Sequence, residues 1–128
     1  MVLDEILRGV PFEEIAGVAF KDKHGLIMVN SRPPLLDLAS TPVINRKFFE
    51  EFPRFNLITS RGCPHNCAFC ASPILCNRIV RFEPMWKVMK EMMGGFKAGH
   101  REFHFLDDQF LINEQRAQEF LSIINKFN

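Results

Sequence analysis

Phe55-Asn-Leu-Ile-Thr-Ser-Arg-Gly-Cys-Pro-His-Asn-Cys-Ala-Phe-Cys70 sets the fold of this chain and carries its most informative chemistry. The first part, Phe55 to Ser60, is a short β-prone run that stops at Arg61 and Gly62. The second part places Cys63, Cys67 and Cys70 in a C-x3-C-x2-C spacing on the loop that follows. A strand whose C-terminal end delivers a polar, ligand-bearing loop is the arrangement expected of an α/β sheet.

Working outward, Pro84 suits the first turn of a helix, and Met85, Met89, Met92 and Phe96 recur at helical spacing down to Ala98, with Gly99 as the stop. Gly94 and Gly95 each cost about 0.8 to 1 kcal/mol relative to Ala in a helix interior, so the last turn is expected to fray or end early. Glu102 to Leu106 reads as a second strand. Asn113 then caps a final helix whose Ala117, Phe120, Leu121 and Ile124 form one stripe. Strands alternating with helices predict parallel pairing, because a parallel connection needs a crossover. Both polar clusters, Arg61 to Cys70 and Asp107 with Asp108, then fall at C-terminal strand ends.

The N-terminal part has a different texture. Val2 to Arg8 is a short amphipathic helix closed by Gly9 and Pro11, and it reads as the tail of a helix. Ile15 to Phe20 and Leu26 to Val29 are two apolar runs joined by a turn of hairpin composition, Asp22 to Gly25. Residues 31 to 46 hold Pro33, Pro34 and Pro42 and form an extended connector of interdomain character. The expected division is therefore residues 1–50 as a hairpin and linker region, and residues 51–128 as the beginning of an α/β domain.

Composition narrows the class. The 128 residues suit one domain, and 16 Lys plus Arg against 15 Asp plus Glu leave a formal charge of +1, too little to gather nucleic acid or anionic lipid. No apolar run approaches the roughly 18 residues of a membrane span. The first residues lack the basic start and apolar stretch expected of an export signal. A soluble, cytoplasmic protein is expected, with neither membrane nor nucleic acid among its partners. In that setting, three of the four cysteines lying within eight residues favour metal binding or catalysis over disulfides. Iron–sulfur clusters are held by cysteine thiolates, and a four-iron cluster normally takes four, so three ligands leave one iron open to chemistry. The alternatives are a structural zinc site completed by Cys76, and an electron-transfer cluster held by all four cysteines. His65 reads as a solvated loop residue, and the role of Cys76 stays open beyond that of a small buried hydrophobe.

C-x3-C-x2-C with Phe69 just before the last cysteine resembles the signature of the radical S-adenosylmethionine (SAM) superfamily. The resemblance continues through Thr59 to Pro73, Arg78 to Phe82 and Glu102 to Phe110. There it is similar to the cobalamin-associated group, which includes the anaerobic magnesium-protoporphyrin IX monomethyl ester cyclase and many methyltransferases. It implies a 4Fe-4S cluster on Cys63, Cys67 and Cys70, with SAM on the open iron. One-electron reduction would cleave SAM to a 5′-deoxyadenosyl radical, and methyl transfer or cyclisation would follow. By the same resemblance Phe69 lies near the adenine, and Asp107 with Asp108 receives the SAM amino group.

The implied fold is the N-terminal part, about two βα units, of a partial TIM-like barrel, preceded by a hairpin and linker that follow a cobalamin-binding domain. Asp22-Lys-His24 begins like the cobalt-ligating D-x-H-x-x-G loop, but Ile27 stands where the glycine belongs, so cobalamin would enter only through a domain outside this chain. A fragment of such an enzyme is expected to be marginally stable and doubtful in activity alone. Its implied partners are a small-molecule substrate, an electron donor such as flavodoxin or ferredoxin, and the remaining pieces of a split enzyme. A methylthiotransferase branch and a non-catalytic metal-binding module are the competing readings.

Overall fold

The computed structural model describes residues 2–44 and 54–127. It is a mixed α/β structure that divides into two units, Met1–Leu35 and Leu36–Asn128. The boundary expected at residues 50 and 51 lies outside the described residues, as does the end of the proline-containing connector.

In the first unit, helix α1 (Val2–Leu7) is followed by a 3-10 turn (Phe12–Glu14) and an antiparallel hairpin of β1 (Ala19–Lys21) and β2 (Ile27–Val29). The first of the two apolar runs is mostly not strand: Ile15 is fully buried just after the 3-10 turn, and pairing begins only at Ala19. Asn30 explains the difference, since its Nδ2 donates to the carbonyls of Phe12 (2.6 Å) and Ile15 (2.7 Å) and folds the run back on itself. The expected turn is present. Asp22 Oδ1 accepts from the backbone N–H of His24 (2.8 Å) and Leu26 (2.9 Å), the self-bonding that makes Asp a turn residue.

In the second unit, β3 (Phe55–Leu57) pairs in parallel with β6 (Phe103–Phe105), in the register Phe55 to Phe103 and Leu57 to Phe105. The run expected as one strand to Ser60 is split. After Leu57 the chain leaves β6, and β4 (Ser60–Arg61) pairs antiparallel with β5 (Arg81–Phe82), a strand that apolar patterning does not announce. Helix α2 (Ser72–Cys76) lies between β4 and β5. Helix α3 (Met85–Lys97) makes the crossover from β5 to β6, and helix α4 (Glu114–Ile124) follows β6. Pro84 sits at the N-cap of α3, one position outside the turn expected to hold it. Asn113 caps α4 as expected, its side chain accepting from Arg116 N–H at 2.9 Å.

The glycine pair in α3 does not fray the helix. Gly95 is buried, and a Cβ there would stand 2.6 Å from the ring of Phe55, so the glycine is what lets β3 seat against α3. The helix stops where expected, at Gly99, which has a φ of +100°. Aromatic rings fill the core on that side: Phe105, Phe110 and Phe120 pack with centroids 4.7 to 5.4 Å apart, and Phe55 lies edge-on to Phe103 at 5.3 Å. Among the stripe residues of α4, Ala117 and Phe120 are buried while Leu121 is exposed.

Candidate functional site

Thr59 is the node from which the site is built. Where β6 runs out, Asp107 takes over its pairing: Oδ1 accepts from Thr59 N–H at 2.6 Å, and Oδ2 accepts from Thr59 Oγ1 at 2.5 Å and from Ser60 Oγ at 2.8 Å. Thr59 C=O meanwhile accepts from Glu83 N–H at 2.8 Å, which carries the chain across to β5. Thr59 and Ser60 are almost fully buried, so these bonds satisfy polar groups that would otherwise be costly. The next ties follow in order along both segments. Asp108 Oδ2 accepts from Gly62 N–H at 2.9 Å, and His65 Nε2 lies 3.3 Å from Gln109 Oε1. The two polar clusters placed at strand ends by sequence are thus joined side chain to loop.

From Gly62 to Ile79 the chain makes an excursion whose neck is closed. Gly62 has a φ of +99°, and a Cβ on it would stand 2.2 Å from the carbonyl oxygen of Ile79. Two consecutive left-handed residues, Asn77 (φ 52°) and Arg78 (φ 57°), turn the chain back. Cys76 plugs the neck: it is buried, its thiol donates to Ser72 C=O at 2.8 Å, and its sulfur accepts from Cys63 N–H at 3.4 Å. Burial raises the Cys76 thiol pKa, and hydrogen bonds from the Cys63 backbone, the Ser72 side chain and the Arg78 backbone outweigh it, leaving the pKa below the ordinary thiol value.

Beyond the neck the loop is open. Cys67 and Cys70 are exposed, Cys63 is half-buried, and all four cysteines are free thiols. Phe69 is 93% exposed. Cys70 N–H donates to Cys67 C=O at 3.1 Å, and Cys70 Sγ accepts from Ser72 N–H at 3.4 Å. Among the described residues no group of three His, Cys, Asp or Glu converges closely enough to hold a metal ion. The donor set nevertheless fits an iron–sulfur cluster chemically: three thiols on one exposed loop, with a backbone N–H already directed at one sulfur. Cys76 is turned away into the neck.

Asp107 spends both carboxylate oxygens on the Thr59–Ser60 segment. Asp108 is exposed and accepts a hydrogen bond from Gly62 N–H, and its charge also acts on the Cys76 thiol. Arg116 also borders the site, and no motif or spacing in the sequence marks it. It donates to Glu83 C=O at 2.7 Å and Thr59 C=O at 3.4 Å and lies over the Phe82 ring. Burial lowers its pKa, against the opposing charges of Glu119, Asp107 and Glu83.

Among the described residues no helix is long and apolar enough to cross a membrane. No family model matches the chain. Among curated proteins, it is 27% identical over 124 residues to a protein of Pyrococcus horikoshii described as an uncharacterized methyltransferase, an alignment covering 91% of this chain and 27% of that protein. The chain therefore spans about a quarter of the relative's length and is similar to one part of a methyltransferase-related protein.

Proposed function

We propose that this chain is the cluster-bearing part of a radical SAM enzyme, with a 4Fe-4S cluster on Cys63, Cys67 and Cys70 and methyl transfer as the reaction class. The observation that carries the proposal is the loop itself: three free thiols held out on an excursion whose neck is closed by Gly62, Cys76 and Asp108. A parallel β3–β6 pair with a helical crossover is consistent with the first units of a barrel. The Pyrococcus relative, described as a methyltransferase, supports the choice of methyl transfer over cyclisation.

When bound, such a cluster supplies an open iron for SAM and the electron that cleaves it. This chain's own residues do the positioning. Cys63, Cys67 and Cys70 would hold the metal, and Ser72 N–H donates to the Cys70 sulfur at 3.4 Å. Asp107 fixes the start of the loop. Asp108 has carboxylate capacity left for the SAM ammonium, a favourable charge-assisted partner. Phe69 offers an exposed ring face to adenine. The structural-zinc alternative needs the Cys76 thiol, which is already committed to Ser72 and Cys63.

Anaerobic reconstitution tests the ligand set. Each of Cys63→Ala, Cys67→Ala and Cys70→Ala is expected to abolish iron and sulfide incorporation while Cys76→Ala retains it. Zinc without sulfide, lost on Cys76→Ala, would overturn the proposal.

A further inference from the structure

The second unit holds a cavity of about 590 Å³ on the face of β3 and β6 that bears Asn56, Ile58 and Leu106, within the range of small-ligand sites. Most of its wall is apolar, with Leu38, Ile44, Ile58 and Leu106 among its lining. Arg61 and Arg81 line it as well, and they are directly opposed across the antiparallel β4–β5 pair. Like charges so placed destabilise a strand pair. Neither is in an ion pair among the described residues, whereas the other cation of the wall, Lys87, is neutralised by Glu83 at 2.7 Å. Glu91 also lines the wall and makes a further interaction of its own.

The Arg81 guanidinium is held by one bond, Nη1 to Leu36 C=O at 2.7 Å, and its Nε–H is buried without an acceptor. Among the described residues only Nη1 of the Arg81 fork is used within the chain, and a planar guanidinium suits a carboxylate taken by two N–H groups.

We propose that this cavity binds an apolar organic acid, its carboxylate held between Arg61 and Arg81 and its body against Ile58, Leu106 and Leu38. Arg61 is followed directly by Gly62 and Cys63, so a ligand held there sits at the root of the cysteine loop. If that loop carries the proposed cluster, the ligand is the substrate, and the substrate assignment rests on the radical SAM reading. The binding itself does not.

The test titrates the metal-free chain with 2-naphthoate and with its uncharged analogue 2-naphthalenemethanol, by calorimetry and by backbone amide shifts. Naphthoate is expected to bind at least about tenfold tighter, with the largest shifts at Ile58, Arg61, Arg81 and Leu106. Arg61→Gln, an exposed position, and Arg81→Gln are each expected to erase that preference while binding of the alcohol persists. Equal affinities for the acid and the alcohol, an unchanged preference in Arg61→Gln, or shifts confined to another surface would overturn the inference. Cluster loading is scored separately: carboxylate binding without cluster incorporation rejects the radical SAM reading alone, and the reverse result rejects the acid site alone.

Discussion

Gly94 and Gly95 are adjacent in one helix and have opposite meanings. A Cβ at Gly94 meets nothing within 4 Å, so Gly94→Ala is expected to stabilise the chain by up to about 1 kcal/mol. At Gly95 the same substitution drives a methyl into the Phe55 ring and is expected to cost roughly 1 to 3 kcal/mol. Urea unfolding of the two variants should move the midpoint in opposite directions. The glycine pair was legible in sequence as an irregularity, yet its reason was not, because the ring that requires Gly95 lies forty residues earlier in the chain. Cys63, Cys67 and Cys70 stood out through spacing alone. Arg61 with Arg81 did not, since an arginine in a short polar segment carries no periodic signal and its meaning comes from what lies across the strand; nor did Arg116, whose partners Thr59 and Glu83 are distant in sequence.

At the scale of elements, long-range side-chain bonds define where one strand ends and the next begins. The run from Phe55 to Ser60 looked like one strand because its composition is uniform, but Asp107 captures Thr59 and Ser60 and turns them from β6 to β5. Asp107→Asn keeps the shape and loses acceptor capacity opposite two N–H or O–H donors. It is expected to destabilise the second unit by about 1 to 3 kcal/mol and to expose the Thr59 amide to hydrogen exchange. Lys87 does comparable work on α3. Almost fully buried, it pairs with Glu83 and donates to Leu38 C=O at 3.0 Å and to Thr41 Oγ1, holding the 38–41 segment on the helix. Lys87→Ala leaves the Glu83 carboxylate without its partner and is expected to cost about 3 to 5 kcal/mol in chemical denaturation. Helical periodicity marked α3 and α4 correctly, whereas β5 was invisible because two residues are too few to show a period.

At the scale of the molecule, Ile15 and Leu57 are the large side chains completely enclosed among the described residues, and Ile27, Val29, Leu75 and Leu111 are among many exposed apolar residues. Such a small core makes any ligand that binds only the folded state count heavily toward stability. Reconstitution with iron and sulfide is therefore expected to raise the thermal midpoint by several degrees, and the shift should vanish in Cys67→Ala. The α/β class and the parallel pairing of β3 with β6 were readable from alternation of patterns. The contents of the loop neck were not, since Asn77 and Arg78 act through left-handed backbone geometry and Cys76 through thiol bonds to Ser72 and Cys63, none of which composition encodes.

The central claim is that three thiolates from one loop hold a cluster with an open iron. Electron paramagnetic resonance of the reconstituted, reduced chain with and without SAM tests it most directly. The account predicts a cluster signal whose g values shift when SAM is added and which is absent in Cys63→Ala. A reduced cluster whose spectrum ignores SAM, or a chain that takes up no iron at all, would contradict it.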